Sequence, residues 1–317
     1  MTMPSSTAEV PLIAEPWAVE LPDGRPFSKD PSVVRFRGRY LMYFTLPQGY
    51  AGDGWRVGIA ESPDLRAWRL VETLVPQESF ETPGICAPGA VVLDGVVHLF
   101  YQTYGNGPAD AICHATSHDG VTFVPDVSNP VFRPEGDWNC GRAIDADVVV
   151  HGDRLLLAYA TRDPEMRAQL LGVASAPLDS GFGREAWTDL SHDAPALAPE
   201  LDWERECIEA PAFVRRGDGL VMFYAGGYNN EPQQIGWARS SDGATWERGT
   251  LEPFLPHGAP GSWNASESGH PGALVDEDGR TYLFFQGNDT GGRTNLLAAV
   301  EIGWDGDVPR VLRPVTA

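Results

Sequence analysis

Four side chains able to move protons stand at comparable places along this chain. Asp30 precedes a proline in "SKDPSVV", Asp145 opens "DADVVV", Glu209 stands before "APAFV", and His270 stands before "PGALV". Each lies at the start of a short apolar run of strand-favouring residues. Packing gives no reason for a carboxylate at the mouth of so apolar a strand. Brought together, carboxylates repel one another, and burial raises the pKa of whichever ionises least readily. One ionised and one protonated carboxyl in a single site is what acid–base cleavage of a glycosidic bond requires.

Groups so far apart in sequence meet only if the chain repeats a unit. The apolar run recurs as "APGAVVLDGVVHLFYQTY" from Ala87, "DADVVVHGDRLLLAYATR" from Asp145, "APAFVRRGDGLVMFYAGG" from Ala210 and "HPGALVDEDGRTYLFFQGN" from His270. With Pro31, Pro88, Ala146, Pro211 and Pro271 as equivalents, the spacings are 57, 58, 65 and 60. Each unit holds a short strand, a Gly or Asp-Gly turn and a longer strand. A third strand such as "WRVGIAES" follows, then a Ser/Asp/Gly turn and usually an aromatic that opens a fourth. Five such units predict an all-β, five-bladed β-propeller with four antiparallel strands per blade. With no helical period and no low-complexity linker, residues 1–317 are expected to form one domain, residues 1–25 being an N-terminal arm packed on its surface.

The first strand of each propeller blade lines the central channel. Asp30, Cys86-Ala87, Asp145, Glu209 and His270 therefore share one mouth. Asp147 falls on the same strand face as Asp145, so alternation does not separate them; Asp145 is preferred because it lies nearer the mouth. Trp138, Asn139 and Arg142 precede Asp145 in "GDWNCGRAID" and are candidates for a sugar platform and clamp. Trp55 and Trp263 precede other strands, with Trp263 the better pocket candidate, and Arg162 can pair with a carboxylate. Tyr228 and Gln286 hold comparable strand-end positions.

The net charge of −21 disfavours nucleic acid and anionic membrane surfaces. No apolar run approaches the roughly 18–20 residues of a membrane span. The first residues show no basic, then apolar, leader pattern, and the four cysteines form no C-x-x-C pair. A cytoplasmic protein with reduced thiols and no zinc is expected. Oligomeric state leaves no mark on the sequence.

The ordered set "SKDP", "AIDADV", "IEAP" and "SGHPG" resembles the family 43 glycoside hydrolases, five-bladed propellers related to families 32, 62, 68, 117 and 130. The resemblance implies Asp30 as general base, Asp145 as the Asp that orients the acid and tunes its pKa, and Glu209 as general acid. It also implies that His270 helps hold a water cluster or a calcium ion. Calcium prefers oxygen ligands, so His270 is expected to act through water, no cofactor is required, and chelation should have a modest effect. Ala146 replaces the proline common after the second Asp, and "ERECIEAP" also contains the Glu-Cys pair of family 32. The expected function is exo-acting hydrolysis of small glycosides such as α-L-arabinofuranosides or β-D-xylosides, with a small carbohydrate as the substrate. Inversion is expected, with a raised pKa on Glu209. The alternatives are a fructosidase-like or phosphorolytic relative, and a propeller that binds carbohydrate without cleaving it or serves another small-molecule transformation.

Overall fold

The computed structural model describes residues 16–50 and 52–312; residues 1–15 of the expected arm lie outside the described residues. A short hairpin, β1 (Val19–Glu20) and β2 (Pro26–Phe27), precedes five four-stranded antiparallel sheets. Blade 1 comprises β3 (Lys29–Phe36), β4 (Arg39–Leu46), β5 (Arg56–Ser62) and β6 (Arg69–Leu74). Blade 2 comprises β7 (Ile85–Leu93), β8 (Val96–Thr103), β9 (Ile112–Ser117) and β10 (Val124–Pro125). Blade 3 comprises β11 (Ile144–His151), β12 (Arg154–Arg162), β13 (Gln169–Pro177) and β14 (Thr188–Asp189). Blade 4 comprises β15 (Ile208–Arg216), β16 (Gly219–Gly226), β17 (Gln234–Ser240) and β18 (Glu247–Arg248). Blade 5 comprises β19 (Glu267–Val275), β20 (Thr281–Asn288), β21 (Leu296–Asp305) and β22 (Val308–Val311). The protein is an all-β, five-bladed propeller. Its described helix is confined to three single 3-10 turns, Ser79–Glu81, Gly107–Ala109 and Arg184–Ala186.

Each sheet is apolar on both faces, so one alone could not shed its surface from water. In β4, Tyr40, Met42 and Phe44 point into the layer shared with blade 5. Leu41 and Tyr43 point into the layer shared with blade 2. The period of two thus feeds two interfaces. The core divides into five such layers, one at each blade junction. Burying a large side chain there contributes roughly 1.5–3 kcal/mol.

The innermost strands β3, β7, β11, β15 and β19 pack in a ring, with β19 against β3. The N-terminal segment strengthens that closure. Trp17 and Leu297 exchange backbone hydrogen bonds of 2.8 and 2.7 Å, and the Ser28 N–H donates to the Asn295 carbonyl at 3.0 Å. The Trp17 ring meets Phe44 edge-on at 5.3 Å.

Candidate active site

All five innermost strands break register at the same place. The ladders skip between Lys29 and Ser32, Cys86 and Gly89, Ile144 and Asp147, Glu209 and Ala212, and Gly269 and Gly272. The first residue of each bulge is left-handed: Asp30 (φ 53°), Ala87 (43°), Asp145 (52°), Ala210 (50°) and His270 (42°). That conformation costs a non-glycine residue about 1–2 kcal/mol, so the surroundings must enforce it. Side chains of the preceding blade hold three of these N–H groups. Asp30 donates to Gln286 Oε1 at 3.0 Å, Ala87 to Thr45 Oγ1 at 2.8 Å and Asp145 to Gln102 Oε1 at 2.6 Å. Glycine lets neighbouring inner strands come close beside two bulges. A Cβ on Gly272 would lie 1.8 Å from the Pro31 carbonyl oxygen, and one on Gly89 2.1 Å from that of Ala146. A bulge re-aims its side chain. Here it sets Asp30, Asp145 and His270 on the wall of the mouth, which accounts for carboxylates at apolar strand starts.

The mouth opens into a cavity of about 440 Å³, a size suited to a small ligand. Its lining includes Asp30, Asp145, Glu209, His270, Arg142 and Arg162, all expected from the sequence. Trp138 and Trp263 are not among the lining residues. The Trp138 indole N–H donates to the Ser191 carbonyl at 2.7 Å, tying a loop together. Trp263 packs 5.8 Å from Phe285, in the layer between blades 4 and 5. Trp55 takes the expected aromatic place, 6.1 Å from Phe27 and 5.9 Å from Tyr104. Tyr228 lines the cavity too, with the Arg162 guanidinium 5.3 Å from its ring centre. Arg142 lies 5.9 Å from the Tyr104 ring centre and 3.4 Å from Asp110. The sequence reading missed Lys29, Gln169, Gln102, Thr45 and Glu267, which line the cavity, and Gln233, which donates to Glu209. Thr45, Gln102 and Gln286 share one register at the end of a second strand, a repeat of polar residues visible in the sequence.

His270 lies between two carboxylates. Its Nδ1 is 2.8 Å from Asp30 Oδ1, and its Nε2 is 3.1 Å from Glu209 Oε1. Burial disfavours a charged imidazole, but Asp30 and then Glu209 outweigh it and hold the His270 pKa well above its ordinary value. Burial would likewise raise the Asp30 carboxyl, yet the charges of His270 and Lys29 hold it well below the usual range. For Glu209, burial is again overcome, first by the His270 charge and its hydrogen bond. Gln169 Nε2 also donates to Glu209 Oε2, and Gln233 Nε2 to Oε1 at 2.6 Å. The pKa of Glu209 is therefore lowered in the free protein, against the expectation that it is raised. Asp145 has no such imidazolium contact. Burial, opposed by His270 and reinforced by Glu209 and Asp30, pushes it up to about 7. One ligand atom each of Asp145, Glu209 and His270 lie within 4.8 Å of one another. Both His270 ring nitrogens face carboxylates in this arrangement, which leaves neither free for direct ligation of a cation.

Asp147 has a different task. Its Oδ2 accepts the Phe213 N–H at 2.7 Å, tying β11 to β15 of the next blade. Burial pushes its pKa up to about 7 despite hydrogen bonds from Phe213 and Val148. The folded chain therefore keeps a proton that the unfolded chain releases from about pH 4 upward, so stability falls as pH rises through that window to about 7. Asparagine offers Phe213 the same carbonyl acceptor without the charge. Asp147→Asn should raise Tm at pH 8 by at least about 2–4 °C and leave it nearly unchanged at pH 4. Melting curves at the two pH values check this, and equal changes at both would refute it.

The sequence pattern of Glycosyl hydrolases family 43 matches residues 22–308. A comparison with curated proteins finds no match. Among solved structures, an endo-1,4-beta-xylanase from Bacteroides thetaiotaomicron superposes with a TM-score of 0.71 at 20% identity, over 90% of this chain and 94% of that one. An alpha-L-arabinofuranosidase from Lactobacillus brevis gives 0.67 at 16% identity, over 91% and 94%. A family 32 beta-fructofuranosidase from Bombyx mori gives 0.72 at 16% identity, over 95% of this chain and 65% of that one. At these identities the structures show a shared fold, whereas the sequence pattern spans most of the chain: the protein is a glycosidase and belongs to glycosyl hydrolases family 43.

Proposed function

We propose that the protein is an exo-acting hydrolase of small glycosides, α-L-arabinofuranosides or β-D-xylosides foremost, working with inversion. The observation that carries this reading is His270 set between Asp30 and Glu209 at the cavity wall. An imidazole bonded through both nitrogens holds the two nearest carboxylate oxygens roughly 6–8 Å apart, compatible with the roughly 6.5–9.5 Å of inverting enzymes and wider than the roughly 5–5.5 Å of retaining ones. Asp30, ionised, accepts the proton of the water that attacks the anomeric carbon. Glu209 delivers a proton to the departing oxygen. Asp145 carries a proton up to about pH 7 and supplies Glu209 once the sugar displaces the His270 contact. The xylanase and arabinofuranosidase named among the similar structures support the pentoside choice. Four unpaired cysteines support a reducing, cytoplasmic setting. No helix among the described residues is long and apolar enough to cross a membrane.

A panel of 4-nitrophenyl glycosides tests the reading, with NMR of the first-formed sugar. Cleavage of an arabinofuranoside or xyloside to the inverted anomer is the expected result. Retention would overturn inversion, and no cleavage across the panel would overturn the hydrolase reading.

A further inference from the structure

Lys29 is the only lysine in 317 residues, although the chain carries 23 Lys and Arg. It lines the cavity, immediately before Asp30. It also holds the register of Glu209, since each stands directly before the bulge of its innermost strand. The two side chains therefore reach the same mouth from blades 1 and 4. Lys29 Nζ donates to Asn229 Oδ1 at 2.8 Å, which engages one of its three N–H donors.

Arg162 stands beside the same rim segment. It stacks on Tyr228, the residue before Asn229, with its guanidinium carbon 5.3 Å from the ring centre. Its Nε donates to Gln169 Oε1 at 3.1 Å and its Nη1 to the Met166 carbonyl at 3.0 Å. Its Nη2 makes no hydrogen bond among the described residues. Arg142, the other guanidinium lining the cavity, lies 3.4 Å from Asp110. Lys29 and Arg162 form no ion pair with a carboxylate among the described residues. Asp30, Glu267, Glu209 and Asp145 all act on the Lys29 charge without forming an ion pair with it. In a chain of net charge −21, two cations without ion-pair partners thus border one stretch of active-site wall, each with donors to spare. A planar guanidinium and a compact ammonium together suit a carboxylate or phosphate oxygen set better than neutral hydroxyls.

We propose that Lys29 and Arg162 form an anion-recognition wall, so that the substrate is a glycoside bearing a carboxylate, as in a uronic acid, or a phosphate. This rests on the hydrolase reading of the same cavity; a charged group on the neighbouring sugar narrows the pentoside class, and one on the cleaved sugar replaces it. The charged group sits on the cleaved sugar or on its neighbour, and Lys29 and Arg162 act as specificity-determining residues.

Calorimetric binding of D-glucuronate, inorganic phosphate and D-xylose to the full-length protein tests this, because xylose lacks only the carboxyl carbon of glucuronate. At least one anion should bind about tenfold or more tightly than xylose. Stronger glucuronate binding assigns a uronide, and stronger phosphate binding a phosphosugar. Lys29→Met should weaken binding of the preferred anion about fivefold or more beyond any change in xylose affinity. A second measurement needs no variant: acetic anhydride can modify only Lys29 and the terminal amine among amino groups. The preferred anion should slow acetylation of the Lys29 peptide about fivefold or more, and xylose should not. No preference for either anion, or equal weakening of xylose and anion by Lys29→Met, would overturn the proposal and show that Lys29 only balances the neighbouring carboxylates. Cleavage of neutral aryl glycosides without anion preference defeats this inference alone. Anion binding without cleavage of any glycoside defeats the hydrolase reading alone.

Discussion

Asp30→Asn should lower kcat/KM by about 10³–10⁴-fold on every glycoside the protein cleaves, whatever the leaving group. The base acts on water, so an easily departing aryl group offers no relief. Asparagine keeps the size of the side chain, and the Asp30 N–H bond to Gln286 uses the backbone, so the bulge should persist. The substitution removes the acceptor and one of the two carboxylates that charge His270. Steady-state rates on 4-nitrophenyl and alkyl glycosides, alongside melting curves to confirm folding, check the result. Near-normal activity on either class would remove Asp30 from the base role.

Glu209→Gln should divide substrates by leaving group. Alkyl glycosides and natural disaccharides need protonation of the departing oxygen and should lose about 10²–10⁴-fold. Dinitrophenyl glycosides leave without it and should lose no more than about tenfold. The low pKa of Glu209 in the free protein sharpens the test, since a carboxylate paired with His270 has no proton to give until a sugar intervenes. If the proton comes by way of Asp145, the rate should fall as pH rises through about 7, where Asp145 ionises. Asp145→Asn should remove that alkaline limb. A leaving-group split in Asp145→Asn and none in Glu209→Gln would transfer the acid role to Asp145.

The propeller and its register were legible because both are local signals. Strand alternation, the Gly and Asp-Gly turns and the spacing of Pro31, Pro88, Ala146, Pro211 and Pro271 lie within single units, and the bulges fall at those positions. Asp30, Asp145 and His270 follow from that register, each opening a bulge, whereas Glu209 stands one place earlier, at the position Lys29 holds in blade 1, and also lines the shared mouth. Proximity to a strand start proved uninformative for loop aromatics. Trp138 and Trp263 precede inner strands as closely as other candidates do, yet they pack on Ser191 and Phe285, while Trp55 reaches the cavity.

What the sequence determined by itself is which residues share a ring; their charge states were settled only in three dimensions. The pKa of Glu209 depends on His270, Gln233 and Gln169, contributed by other strands and other blades. Alternation assigns Asp145 and Asp147 to one strand face, and only the bulge between Ile144 and Asp147 separates them, so that Asp145 lines the cavity while Asp147 ties two blades through Phe213. Strand period and turn chemistry act over a few residues, whereas the field at a buried carboxylate is made by groups that the ring brings in from other strands.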